Sequence, residues 1–440
     1  MGSAGCATYQ PLALSQAEGS PAVEALSVPL AQMPLPELRQ HRFDPSDGLD
    51  STETAMLAVA NSPALLAQRS AAGIAQAQAF AAGLLPDPSV SFETDRPLGN
   101  AAGLVHAFNL GLSWDVAALL QSQIPQQDQL QQANLNVLWM EWQTIAQARQ
   151  LFLQVQTLRA QRQQLAQELD ALQPLEASAL AALREGNLTH DVAATALNAA
   201  SDVRKRAGDN AVALDQAESE LRQLLGLAAQ APLPLVGDAA GSVEAASPSA
   251  AQVRAALENL PQRRPDLLAL QAGFRASDAQ LRGAIRAQFP MLSLGMVRAG
   301  DTGNVQTQGI TFGLTLPLFN RNRGNIAIAT ATRQQLKDDY EARLLATRND
   351  VARLQADLQA QDAQLPAASA HARQMDTARR AAEQAWQQHR LDWLAYLALR
   401  GNALAADADL ANLQQARSAT AIALHTLLGR TDFETKVSSP

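Results

Sequence analysis

The chain says its message twice. "SPALLAQ" at residues 62–68 returns as "RPDLLAL" at 264–270, so Pro63 and Pro265 stand 202 residues apart. At the same offset "PSVSF" from Pro88 matches "PMLSL" from Pro290, and "LGLSW" from Leu110 matches "FGLTL" from Phe312. One residue out of phase, "LLG" at 224–226 recurs at 427–429. Coincidence between Ala/Leu-rich helices could supply one such landmark but hardly the ordered series, which marks a duplication. The fold must therefore be two copies of one plan.

Each copy has the same order of signals. A helix starts after the proline, over about 64–85 and 266–288. Two strands follow, at about 89–97 and 105–116 in the first copy and 291–299 and 305–318 in the second. One very long helix then covers 122–184 or 322–388. A tight turn at Gly186-Asn187, or at His389-Arg390-Leu391, reverses the chain into a shorter helix that ends at Leu225 or Leu428. Asp50 with Glu53 forms a capping box for a short helix ahead of the first copy. These signals divide the chain into an irregular amino-terminal segment (1–50), a first repeat (51–226), a Pro/Gly/Ser/Ala linker (227–252), a second repeat (253–429) and a tail (430–440).

The strand segments alternate. In "HAFNLGLSWDV", Phe108, Leu110, Leu112, Trp114 and Val116 share one face, with Asn109, Gly111, Ser113 and Asp115 on the other. "GITFGLTLPL" sets Ile310, Phe312, Leu314, Leu316 and Leu318 against Thr311, Gly313 and Thr315; "SVSFETD" sets Val90 and Phe92 against Ser91, Glu93 and Asp95. A period of two describes a sheet with one apolar and one polar face. Such a sheet lies either on a helix in water or in a bilayer as part of a barrel. A helix of about 63 residues would span about 95 Å, far beyond any four-stranded sheet. The shorter helices of each repeat add up to nearly the length of its long helix. The economical arrangement stacks them end to end beside it, a rod two helices wide whose Ala/Leu seams call for lateral neighbours.

Composition agrees. Only 4% of residues are aromatic while Ala, Leu and Gln fill long stretches, as in extended helices. The net charge of −8 argues against a nucleic-acid partner. No window approaches 18 consecutive apolar residues, which excludes a membrane-spanning helix but not barrel strands. A single cysteine, Cys6, excludes an internal disulfide and multi-thiolate metal sites. It is either an incidental small residue or a modified one. Ser3-Ala4-Gly5-Cys6 resembles the end of a bacterial lipoprotein signal, although Ser3 replaces the usual large aliphatic residue and no apolar run precedes it.

No catalytic constellation emerges, so the chain is read as a non-enzyme without cofactor or metal site. The six histidines are scattered, and the seven methionines form no soft-ligand motif. His190 beside Asp191 cannot converge on one ion, because adjacent helical residues point apart. No phosphate loop is present, so any energy comes from a partner. Function then lies in geometry and charge. Glu93, Asp95 and Asp115 on the polar strand face would line the lumen of a barrel and keep it wet and cation-tolerant.

The segment "LTLPLFNRNRGNIAIA", running from strand into long helix, resembles the TolC-type outer-membrane efflux protein family, nearest its heavy-metal lipoprotein branch. "GLLPDPSVSF" and "REGNLTHDV" are similar to the same family, and the likeness spans about residues 50–430. The resemblance implies a mainly α fold with a small membrane β part. Three chains would each give four strands to a twelve-stranded barrel above a periplasmic α-helical barrel. Four strands alone cannot close a membrane barrel, so a homotrimer fits. The resemblance also implies lipid on Cys6. It implies a periplasmic adaptor docking at the turns (Gly186, Asn187, Leu188; His389, Arg390, Leu391) and an inner-membrane transporter of the RND type. It places a periplasmic gate around Asp191, Asp392 and Leu394, although the acid expected four residues after Leu394 is Ala398 here. The expected role is the outer-membrane exit duct of a tripartite efflux pump, carrying metal cations or drugs. A type I secretion channel is the alternative within the fold, and a soluble coiled-coil scaffold the alternative outside it.

Overall fold

The computed structural model describes residues 9–14, 19–84, 87, 89–95, 107–115, 124–237, 248–289, 291–301 and 303–429. Cys6 lies outside these residues. The elements run α1 (Pro36–Gln40), α2 (Ser51–Asn61), α3 (Pro63–Ala82), β1 (Ser89–Asp95), β2 (Ala107–Asp115), α4 (Ile124–Arg184) and α5 (His190–Leu225). They continue with α6 (Ala250–Arg263), α7 (Pro265–Arg286), β3 (Met291–Asp301), β4 (Gln306–Thr315), α8 (Arg323–Gln387) and α9 (Trp393–Leu427). The series α3-β1-β2-α4-α5 thus returns as α7-β3-β4-α8-α9.

Local chemistry sets the boundaries. Pro63 and Pro265 occupy the first turn of α3 and α7, where the missing N–H costs nothing. Asp50 accepts from the backbone N–H groups of Thr52 and Glu53, each at 2.7 Å, and the Glu53 carboxylate accepts from the Asp50 N–H at 3.1 Å. This reciprocal box opens α2, an 11-residue helix. Gly226 closes α5 with φ 71°, and a Cβ there would lie 2.7 Å from the carbonyl oxygen of Asn61. Gly429 takes the same left-handed conformation after α9.

The two long helices have 61 and 65 residues, or about 92 and 98 Å at 1.5 Å per residue. Pro174 and Pro366 lie inside them without ending them. Helix α4 packs against α3 and α5 from its own repeat and against α7 and α9 from the other; α8 packs against α7 and α9. The seams are narrow. On α5 the buried stripe is Ala193, Ala196, Ala200, Val203, Leu214, Ala217, Leu221 and Leu225, at helical spacings, with Asn210 its one polar member.

The largest apolar cluster among the described residues sits at the waist and draws in parts of the amino-terminal segment (1–50) and of the linker (227–252). Val23, Met33, Leu38 and Leu49 from the first and Leu227, Ala231 and Leu233 from the second are buried together with α2, α4 and α5. The two segments also pair with each other through bridges Ser20–Leu227 and Leu49–Leu235. Each fully buried Leu contributes about 1.5–3 kcal/mol, which holds the described parts of these two segments against the helices. The linker also ends earlier than expected, because Ser249 and Gln252 form a second capping box that starts α6 at Ala250.

The four strands form one antiparallel sheet in the order β1-β2-β3-β4, leaving β1 and β4 as edges. Strand β3 extends to Asp301, beyond the expected end at 299, while β4 stops at Thr315 rather than 318. The early stop has a local cause. Pro317 has no N–H to give a ladder, and the Leu318 N–H turns back onto the Leu316 carbonyl at 2.9 Å.

Candidate functional site

Register separates the two faces of the sheet. Val90, Leu112, Met296 and Ile310 form one row across all four strands. Val90, Phe92, Ile310, Phe312 and Leu314 are exposed, the first by 67% and Phe312 by 68%. Among the described residues no helix covers this apolar face. It runs from the Leu314 row to the row of Phe92, Leu110, Arg298 and Gln308, where polar side chains enter; that distance is about 20 Å at 3.4 Å per residue.

The opposite face is made of small residues. One row is Ser89, Ser113, Gly295 and Thr311, and the next is Ser91, Gly111, Val297 and Gly309. The Ser89 and Ser113 hydroxyls lie 2.7 Å apart. A Cβ on Gly111 would come within 2.4 Å of the Ser91 hydroxyl, so glycine is what lets these strands pair with a serine opposite. The three acids chosen from sequence do not share one level. Glu93 pairs with Asn109 and Asp95 with Ala107, toward the hairpin ends, whereas Asp115 pairs with Ser293 at the helical end. Asp301, opposite Ala107, joins the first group; the sequence reading missed it because β3 was ended two residues too soon.

At the far end of the helices the two turns are built alike. The Gly186 N–H donates to the Leu183 carbonyl and the Asn187 N–H to Ala182; His389 and Arg390 repeat the pattern onto Trp386 and Ala385. This is the same left-handed helix stop twice. Its left-handed residue is Gly186, φ 75°, in one copy and His389, φ 56°, in the other. Gly186, Asn187, His389 and Arg390 are exposed, while Leu188 and Leu391 are half-buried. Leu188 packs with Leu169, Leu175 and Trp393 around a cluster holding Leu165, Leu172, Ala196, Val203 and Leu397. The two tips are therefore one packed body, and Leu188 serves its interior.

Asp191 is exposed, and hydrogen bonds from Thr189, its own backbone and Val192 hold its carboxyl below the ordinary range. Asp392 caps α9, its carboxylate accepting from the Ala395 N–H at 2.9 Å. Leu394, two residues further on, is exposed. These three residues lie at the same end of the molecule but make no contact network of their own.

A network the sequence reading missed lies just above them. Arg400 on α9 donates to both oxygens of Glu168 on α4, at 2.9 and 2.7 Å. It also donates to Glu383 of α8 at 3.0 Å and to the Tyr396 hydroxyl at 2.9 Å. Tyr396 donates in turn to Glu383 at 2.5 Å and stacks on Trp386, with ring centroids 5.1 Å apart. Burial opposes the Arg400 charge, but the Glu168 carboxylate outweighs it and raises the guanidinium pKa further. The available sign was an arginine one turn after Tyr396 on the apolar face of α9. A second buried node joins α7 and α8: Arg264 donates to Asp266 at 2.8 Å and to Thr347 at 2.9 Å, and covers the Trp139 ring.

Comparison with known proteins agrees with this geometry. Residues 256–430 match the family described as outer membrane efflux protein. Over 105 residues the chain is 32% identical to outer membrane protein OprJ of Pseudomonas aeruginosa, a match covering 21% of this chain. The chain thus spans about a fifth of that relative, 22% of its length. Among solved structures it resembles CusC, whose structures concern transmembrane channel formation, with a TM-score of 0.71 at 20% identity over 91% of this chain and 97% of that one. It is equally similar to the open state of the MtrE outer membrane channel of Neisseria gonorrhoeae, with a TM-score of 0.71 at 18% identity over 86% and 88% of the two chains. At these identities the likeness is one of fold. The second repeat thus matches the outer membrane efflux protein family, and the fold over nearly the whole length is similar to that of these channel structures.

Proposed function

We propose that this chain is the exit channel of a tripartite efflux pump, seated in the bacterial outer membrane as a homotrimer and conducting passively. The observation that carries the reading is the uncovered apolar face of a sheet with two open edges, set at one end of helices longer than 90 Å. A four-stranded sheet satisfies its edges in a bilayer only by closing with further copies. Three copies give twelve strands, and the small-residue face then lines the lumen with Glu93, Asp95 and Asp115. The helices reach across the periplasm to an adaptor that meets the two turns, and beyond it to an RND-type transporter. Asp191, Asp392 and Leu394 narrow that end, and Pro174 and Pro366 bend the long helices toward it. Cys6 carries lipid as an accessory anchor. Metal cations or drugs are the cargo. Among the described residues no helix is long and apolar enough to cross a membrane.

The test is to extract the protein from its native membrane and record it in planar bilayers. Detergent-dependent trimers with discrete conductance steps, and a lipid mass on Cys6, are expected. A monodisperse protein that stays in water without detergent and never conducts overturns the channel reading in favour of a scaffold.

A further inference from the structure

Where β4 gives way to α8, the chain carries exposed cationic and aromatic side chains; Arg286 donates only weakly, to the Arg282 carbonyl at 3.4 Å. Arg321 and Asn322 take left-handed conformations, φ 47° and 55°. The Asn322 side-chain amide donates to the Ala284 carbonyl at 2.8 Å, pinning this loop to the last turn of α7. That bond brings Arg321 and Arg323 to the same end of the molecule as Arg286. All three are exposed. Among the described residues none has a carboxylate within ion-pair distance, whereas nearby Arg282 and Arg333 share Asp278. Beside them Phe289 and Leu318 are exposed and Phe319 is 98% so.

This collar begins where the apolar face of the sheet ends on its helical side. Its composition is that of a bilayer boundary: rings and aliphatic chains at the edge of the hydrocarbon, guanidinium groups just outside it. Solvated arginines alone would account for the charges but not for three large apolar side chains left in water next to them. Nor is the collar part of the duplicated plan. At the matching offset of 202 residues, Arg286, Arg321 and Arg323 correspond to Leu84, Leu119 and Gln121. The first repeat therefore has no arginine at the matching positions.

We propose that Arg286, Arg321 and Arg323, with Phe289, Leu318 and Phe319, form a binding surface for the headgroups of anionic phospholipid in the leaflet facing the helices. The proposal rests on the reading of the sheet as membrane-embedded. Guanidinium groups pair with phosphate oxygens, and an arginine near an anionic bilayer surface contributes about 1 kcal/mol, or roughly fivefold in affinity.

The experiment reconstitutes the full chain into mixed phosphatidylglycerol and phosphatidylcholine bilayers, then re-extracts it gently and quantifies retained lipid by mass spectrometry. Wild type should retain phosphatidylglycerol several-fold over its share of the bilayer. The triple variant R286Q/R321Q/R323Q should lose that enrichment while keeping its helical content and assembly, and R286K/R321K/R323K should keep most of it. Equal retention of both lipids by wild type, or unchanged enrichment in the glutamine variant, overturns the lipid surface while leaving the channel reading intact. Loss of assembly in the glutamine variant, with no lipid preference in wild type, assigns the collar to contact between copies instead. Failure of wild type to enter bilayers overturns both readings at once.

Discussion

Arg400 grips Glu168 through two parallel hydrogen bonds, although 232 residues separate them and they belong to different repeats. The pair fixes the tip of the second helical hairpin against the long helix of the first, with both side chains about nine-tenths buried. Removing one partner leaves a charge without compensation, which costs about 3–5 kcal/mol at a buried pair. R400A should therefore lower the thermal transition of the helical part, followed by circular dichroism. The double replacement R400M/E168L should recover most of the loss, since an apolar pair of similar volume costs little. Equal destabilisation by the single and double variants would mean that shape, not charge, matters here.

The strand faces make a second prediction. Arginine in place of Leu112, in the row between the two ends of the apolar face, should weaken assembly by roughly 2–4 kcal/mol if it faces the mid-bilayer. Arginine in place of Ser113, on the small-residue face, should assemble and lower single-channel conductance. Equal tolerance at both positions, scored by trimer yield, would mean that the sheet does not meet lipid.

At the turn end of the helices, the cap and the charge of Asp392 can be separated. Asp392 caps α9, so D392A should cost about 1 kcal/mol through the cap alone. D392N keeps a capping oxygen and removes the charge. Combined with L394A it should raise resting conductance and sensitise cells to large antibiotics such as vancomycin. Recordings like those of wild type would place the constriction elsewhere.

The two turns offer an internal control. Gly186 and His389 hold equivalent left-handed positions, and a side chain there costs about 1–2 kcal/mol. G186A should lower the melting transition and H389G should raise it, each by an amount of order 1 kcal/mol. Opposite signs would show that the turns do not bear this strain.

Acid should act through Asp266. Burial alone would raise its carboxyl, but hydrogen bonds and charge from Arg264 and Arg343 outweigh it and hold it below the ordinary 3.8. A depressed folded-state value gives stability that is present above the unfolded value and lost as pH falls through the folded one. Wild type should therefore lose helical stability below about pH 4. D266N should be weaker at neutral pH and flatter across that window. Parallel acid profiles would remove Asp266 from the account.

What was legible in the sequence was whatever local periodicity encodes. Pro63 and Pro265, the Asp50–Glu53 box and the alternation around Leu112 and Leu314 each state an element within a few residues. The waist was not legible, because Val23, Leu38 and Leu233 gain their order only from one another across about 200 positions. Arg400 and Glu168 escaped for the same reason: either one alone reads as a solvated charge on a helix. The turn at His389 was legible, but not its left-handed conformation, because histidine carries no local signal for one.

The open edges of β1 and β4 carry a cost that precedes any transport. Until those backbone groups find a neighbour, every newly made chain exposes a ready template for the wrong partner beside an apolar face that water does not wet. On the proposed reading, its journey from ribosome to finished assembly is a race between correct closure and clumping. Protein made faster than it can be escorted should accumulate as insoluble aggregate, with its long helices intact and its strands wrongly joined.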